Sequence, residues 1–309
     1  TALLSKKQKK TVEKLEKEQL PKLQEYEKHL ENLGDRNSYS KIDTDATFMR
    51  MKEDHMKNGQ LKAAYNVQIS TENQIITHFS VHQKSTDFTT LESHLEGFKN
   101  AYDKTSKQII ADAGYGSEEN YQMLEQQQME FFIPYNMYRM EQKRKHKNNL
   151  FHTQNLYHNI ELDFLVCPMG QRMEKIYTKE SKTTTGFLQQ HSVYQAQNCQ
   201  GCPMRGQCFN AKGNRRIEIN HNLQRLKAKA RENLENKEGK EIYAKRCIEP
   251  EPVFGNIKQN KHFKRFSLRK LTKINIEFGL VAIAHNFAKW IEKIRLLGFI
   301  QNHRVIECF

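Results

Sequence analysis

The chain has 309 residues, with 50 Lys or Arg against 36 Asp or Glu, a formal net charge of +14 and a mean hydropathy of −0.86. That length supports one large domain or two moderate ones. No run approaches the roughly 20 apolar residues of a membrane span and the start lacks the apolar region of a signal peptide, so the expectation is a soluble cytoplasmic protein. The basic excess is spread over several Lys/Arg-rich segments and favours a polyanion partner, double-stranded DNA ahead of a membrane surface.

The sequence opens at Thr1 without a methionine, so a further amino-terminal module is expected before it. Residues 1–37 read as an amphipathic helical connector, with Val12, Leu15, Leu23, Tyr26, Leu30 and Leu33 at helical spacing, Pro21 placed to interrupt the helix and Gly34 to end it. One packed stripe on a solvated helix is the expectation.

From residue 38 the texture changes to strands. Residues 40–51, 64–70 and 75–81 predict three antiparallel strands in a meander, with Asn58-Gly59 as a tight turn. Asp87 caps a predicted helix over 88–101. Ile109 to Ala111 then forms a short strand ending at Asp112, Gly114 and Gly116 break it, and Ser117 caps a helix over 118–128 before a strand at 130–134. Asp112 either caps the turn or supplies chemistry at the strand's open end.

This order of elements is that of the ribonuclease-H-like fold, an α/β mixed sheet flanked by helices. Its first and fourth strands are neighbours, which would bring Asp43 or Asp45, both read on the first strand, beside Asp112. Paired carboxylates of this kind hold Mg²⁺, and two such ions clamp the oxygens of an in-line phosphoryl displacement.

Residues 143–215 interrupt that fold. Lys143-Arg144-Lys145-His146-Lys147 is a basic run, followed by Cys167-Pro168-Met169-Gly170 and by Cys199, Cys202 and Cys208. Four cysteines with a C-x-x-C pair beside turn residues suit a tetrahedral structural Zn²⁺, with His191 a lesser substitute ligand. Cys247 and Cys308 stand apart as plain thiols.

Residues 215–239 predict a charged surface helix. Residues 258–273 carry Lys258, Lys261, Lys264, Arg265, Arg269, Lys270 and Lys273 interleaved with Phe263 and Phe266, the best candidate DNA track. A final helix over 272–297 places Ile274, Val281, Ala284, Ala288 and Ile291 on one core stripe. Glu277 lies on that stripe as a rival acid, read as buried and paired with a lysine.

Three spaced motifs carry a family resemblance. Asp43-Thr44-Asp45-Ala46-Thr47-Phe48-Met49, Ala64-Tyr65-Asn66-Val67-Gln68-Ile69 and Ala111-Asp112-Ala113-Gly114-Tyr115-Gly116-Ser117-Glu118-Glu119-Asn120 resemble the catalytic region of bacterial insertion-sequence transposases of the DDE class. The segment from Tyr243 through Arg246 and Glu251 to Lys258 is similar to that family's Tyr-Arg-Glu-Lys signature. Four residues, Cys247 to Pro250, separate Arg246 from Glu251 where the commonest signature has three, and strict spacing would put the acid at Pro250. The subgroup with Val-Glu-Pro-Val-Phe-Gly matches better, with Glu251 as the acid and Glu249 a lesser candidate.

The resemblance implies catalytic acids Asp43, Asp112 and Glu251 holding Mg²⁺ or Mn²⁺, with Asp45 as the alternative first acid. It also implies Tyr243, Arg246 and Lys258 on DNA, and a homodimer in the DNA complex. Residues 38–142 and 216–298 would be the two parts of the catalytic domain, and 299–309 a tail. The implied activity is cleavage at transposon ends and strand transfer into target DNA. A nuclease of the same fold that cuts without joining, or a non-catalytic zinc-stabilised DNA-binding remnant, are the other readings.

Overall fold

The structure, a computed structural model, describes residues 5–51 and 59–306, so that Asn58 of the expected turn and Cys308 lie outside the described residues. The amino-terminal helix runs as α1 (Lys6–Lys14), a π turn (Leu15–Gln19) and α2 (Leu20–Leu33). Strands β1 (Thr47–Arg50), β2 (Leu61–Ala64), β3 (Asn66–Glu72) and β4 (Ile75–His82) follow. Next come α3 (Leu91–Tyr102), β5 (Gln108–Ile110), α4 (Glu118–Gln126), β6 (Glu130–Phe132) and two single-turn helices, α5 (Tyr138–Glu141) and α6 (Arg144–Lys147). Strands β7 (Tyr157–Asn159), β8 (Phe164–Val166), β9 (Arg172–Lys182) and β10 (Leu188–Ala196) precede the short α7 (Arg205–Cys208) and β11 (Arg216–Ile219). Helices α8 (His221–Glu235), α9 (Lys237–Ala244), α10 (Pro250–Gly255) and α11 (Leu271–Ile306) complete the chain. No helix among the described residues is long and apolar enough to cross a membrane.

Two compact units result, residues 1–90 with 248–309, and residues 91–247. In the first, the π turn answers Pro21, which has no N–H to donate and whose ring crowds the carbonyl one turn back. The Leu20 amide reaches past that position to Leu15 O instead. Gly34 ends the helix at φ +53, where a side chain would be strained. The stripe expected to pack does not: Leu23, Tyr26 and Leu30 are all exposed.

The first strand begins later than its sequence suggests. Residues 40–46 are held as a turn by Ser40 N→Ala46 O (3.1 Å) and Ala46 N→Asp43 O (3.0 Å), so Asp43 and Asp45 precede β1 rather than lie on it. Short polar side chains that bond to nearby backbone compete with a ladder in this way. β1 pairs antiparallel with β2, and β3 with β4; Tyr65 alone separates β2 from β3, so the expected meander is split into two ladders at that residue. Ile76 of β4 packs with Val253 and Ile257 and with Phe278 and Ala282 of α11 to form this unit's core.

In the second unit β5 and β6 are parallel neighbours joined through α4, as a crossover connection requires. Their core contains Tyr121, Leu124, Phe131, Ile133, Leu226 and Ala230, all fully buried. Residues 157–219 build a five-stranded antiparallel sheet in the order β11-β10-β9-β8-β7, with its own core of Leu165, Met173, Tyr194, Ile217 and Ile219. Every ladder lies within one unit. The single mixed sheet expected for the ribonuclease-H-like order is therefore not formed by backbone pairing among the described residues, because β1, β2, β5 and β6 end after three or four residues.

Gly116, at the turn before α4, is required by close approach. A Cβ there would stand 2.4 Å from the Pro134 carbonyl oxygen and 2.9 Å from Tyr135 Cα, both backbone atoms that cannot swing away. Gly116→Ala is expected to lower unfolding free energy by about 1–3 kcal/mol in urea titrations, whereas an unchanged midpoint would show that the two segments are not apposed.

Candidate functional site

The site is built most rigidly around residues 43–46. Arg36, just past the end of the amino-terminal helix, donates from Nη1 to Asp45 O (2.9 Å) and from Nη2 to Thr44 O (2.8 Å), and Gln83 Nε2 also donates to Asp45 O (2.8 Å). With the backbone fixed, the two acids turn to the start of α11. Asp43 Oδ1 accepts from Lys270 N (3.2 Å) and Asp45 Oδ2 from Leu271 N (2.9 Å), while Lys270 Nζ donates to Thr44 Oγ1 (2.6 Å). The other oxygen of Asp43 accepts from the Tyr65 hydroxyl at 2.8 Å. Burial and this adjacent carboxylate push the Tyr65 phenol well above its usual range.

Asp43 is buried and its carboxylate carries two donors, yet each oxygen keeps a second lone pair. Both candidate first acids thus serve as caps for a helix whose first amides have no partner within it.

Asp112 follows β5 and sits at the start of a single 3-10 turn, its side chain accepting from Ala113 N. The turn-capping role is real, and it leaves the carboxylate 57% exposed with Arg246 Nη1 3.7 Å from Oδ2. Arg246 is itself largely buried, at 15%, and its guanidinium stands 5.7 Å from the Tyr243 ring centroid. Burial raises the Tyr243 phenol, with Arg246 opposing the rise. Two signature residues expected on DNA are therefore gathered round an acid of the same unit.

Glu251 is exposed on the first turn of α10, behind Pro250. Glu249 is engaged elsewhere, its Oε2 accepting from Gln74 N (2.8 Å) at the tip of the β3–β4 hairpin. After α10 a π turn (Asn256–Asn260) shifts the helical phase and carries exposed Lys258 to within 5.7 Å of the Phe254 ring centroid.

The stretch 261–270 has no regular structure. Lys261, Lys264, Arg265 and Arg269 are all exposed, while Phe263 and Phe266 turn inward on the first unit's core, their rings edge to face at 5.4 Å. Glu277 of α11 holds this loop by accepting from Ser267 N (2.8 Å) and Leu268 N (3.0 Å). It is neither buried nor committed to a lysine, and its partners are backbone amides. The face of α11 turned to the core is Ile274, Phe278, Ala282 and His285, rotated from the expected stripe, so that Ala284 and Ile291 are exposed.

The cysteines converge. Cys167, Cys199, Cys202 and Cys208 all line one cavity of about 20 Å³, room for a single small occupant. Arg215 donates from its backbone N to Cys199 Sγ (3.3 Å) and from Nη1 to Cys208 Sγ (3.0 Å), and all four thiols are free. His191 belongs to β10, where its backbone pairs with Lys179. Among the described residues no group of three or more His, Cys, Asp or Glu side chains could hold a metal ion as placed, which applies to the acids as well as to the cysteines. The four cysteines expected as zinc ligands share the lining of that one cavity.

Residue types alone did not flag Arg36 or Glu118. Glu118 is buried at the start of α4 and accepts from Asn220 Nδ2 (2.6 Å), Gln189 Nε2 (2.8 Å) and Asn222 Nδ2 (2.9 Å), tying the Asp112 loop to α8 and β10. Its amide donors lie 71 to 104 positions away, so no local pattern announces them.

Residues 166–291 match the family model of a transposase DDE domain. The match includes all four clustered cysteines and the segment from Tyr243 to Lys258, and it begins after Asp43 and Asp112. No curated protein and no solved structure matches the chain.

Glu277→Ala is expected to leave α11 folded but release the basic loop. Hydrogen exchange at the Ser267 and Leu268 amides should then accelerate by at least about tenfold. Unchanged exchange at both amides would rule out the anchoring role.

Proposed function

We propose, from the match of residues 166–291 to a transposase DDE domain, that the chain is a metal-dependent DNA phosphoryl-transfer enzyme of the DDE class. It would cleave at the ends of an insertion sequence and join the freed 3′ ends to target DNA. The observation that carries this reading is the pairing of Asp112 with Arg246: a strand-end acid and a residue of the distant signature segment, singled out separately, come within 3.7 Å of each other. In this reading residues 38–142 and 216–298 form the catalytic domain around the cysteine-bearing stretch 143–215.

Asp43, with Asp45 as the alternative, Asp112 and Glu251 would supply the carboxylates for Mg²⁺ or Mn²⁺, hard cations that take oxygen ligands. Such a cation, when bound, lowers the pKa of the attacking water or 3′-hydroxyl and offsets charge growing on the phosphate. Arg246 orients the Asp112 carboxylate. Lys258, Lys261, Lys264, Arg265 and Arg269 attract and register the DNA backbone, acting on double-stranded ends and target as a homodimer. The protein acts in the bacterial cytoplasm, where the nucleoid supplies its substrate.

Cys167, Cys199, Cys202 and Cys208 would hold a structural Zn²⁺, supported by their common cavity and by a donor set whose softness suits that ion. Zinc there would cross-link the β8–β9 turn to the segment before β11.

Two measurements test these assignments. With DNA carrying the element's ends, Asp112→Asn is expected to reduce Mg²⁺-dependent cleavage and the joining of pre-cut ends by about 10³-fold or more, with DNA affinity retained. Cutting without joining by the wild type would favour a plain nuclease, and full activity in the variant would remove Asp112 from the chemistry. Separately, Cys199→Ser is expected to abolish bound zinc in the purified protein and lower its thermal midpoint by several degrees; zinc-free wild type of equal stability would eliminate the structural metal.

A further inference from the structure

Helix α11 has two apolar faces, and only one belongs to the core. Ile274, Phe278, Ala282 and His285 are buried, His285 Nε2 meeting Gln74 O at 2.9 Å and Asn286 bonding both to Ile76 N and to Ile76 O at 2.8 Å. The opposite face carries Ile276, Leu280, Ile283, Phe287, Trp290 and Ile294, each 51–64% exposed. Their separations alternate four, three, four, three, four, the seven-residue repeat of a coiled-coil seam, sustained over the length of the helix whose side chains are described. No charged residue interrupts the seam.

A solvated helix does not ordinarily keep six large apolar residues in register on its outer face. We infer that this seam is a dimer interface, its occupant the same seam of a second copy of the chain, related by a two-fold axis and formed without DNA. Three features select a second copy over another partner. The 4-3 repeat is self-complementary, since each knob finds a matching hole on an identical helix, as an isologous interface requires. Being uncharged, the seam allows two copies to meet without placing like charges opposite one another, although the chain as a whole is strongly basic. Its area is also sufficient: six half-exposed side chains leave on the order of 500 Å² per copy, so a pair buries roughly 1,000 Å², where specific interfaces begin. The helix continues to Ile306, beyond the last of these residues. This inference goes beyond the enzymatic reading and stands or falls without it, because it concerns the free protein.

Sedimentation velocity of the full chain in DNA-free buffer, from about 1 to about 100 µM, should show a dimer whose population rises with concentration. The double variant Ile283→Glu/Phe287→Glu should sediment as a monomer, its dissociation constant raised by about 100-fold or more, with unchanged circular dichroism and, at concentrations where the wild type is monomeric, an unchanged thermal midpoint, because both side chains face solvent in the single copy. Leu280→Glu provides a milder variant should the double one fold poorly. A wild type that remains monomeric throughout, whether the seam takes a different protein or stays bare, overturns the inference. A folded variant that dimerises like the wild type overturns it equally.

Discussion

The start of α11 is the constraint on which the first unit depends. A long helix presents several amides with no acceptor inside it and a partial positive charge at its beginning, and carboxylates are the strongest available answer to both. Here they come from residues 227 and 226 positions earlier in the chain, Asp43 to Lys270 N and Asp45 to Leu271 N. The same bonds that anchor α11 therefore fix both candidates for the first acid. Arg36 and Gln83 hold the backbone behind them, so these carboxylates sit on a braced turn rather than on a free loop, the kind of support that metal and catalytic sites need.

The second unit solves a related problem differently. Asp112 stands exposed at the end of a short strand, and Arg246 supplies the positive charge that faces it. Glu118, a few residues on, is buried among three side-chain amides and locks the start of α4 to α8 and β10. Together these contacts make the Asp112 loop a property of the whole unit, so substitutions in the five-stranded sheet can reach it without touching it.

Charge and apolar surface are kept apart along 258–270. The aromatic residues enter the core and the basic ones stay in water, with Glu277 pinning the backbone between them. Such a loop presents cations at fixed positions, so a bound polyanion meets little loss of conformational entropy. α11 supplies the carboxylate for this loop, the core face beneath it and, on its far side, a surface for a second copy.

The sequence by itself determined the local features. Pro21 and Gly34 punctuate the first helix, Ser117 caps α4, Asp112 ends a strand, and the basic track is exposed, because each depends on residues within a few positions of one another. The grouping of four cysteines was likewise legible from their spacing and turn residues. Tertiary structure alone decided what each long-range polar group met: that Asp43 and Asp45 leave the strand to cap α11, that Glu249 serves a hairpin, and that Glu277 holds a loop. It also chose which stripe of α11 is buried, since a helix apolar on two faces has no periodicity that distinguishes core from interface. In both cases the deciding partner lies far along the chain, and its identity is set by packing rather than by any pattern in the neighbouring residues.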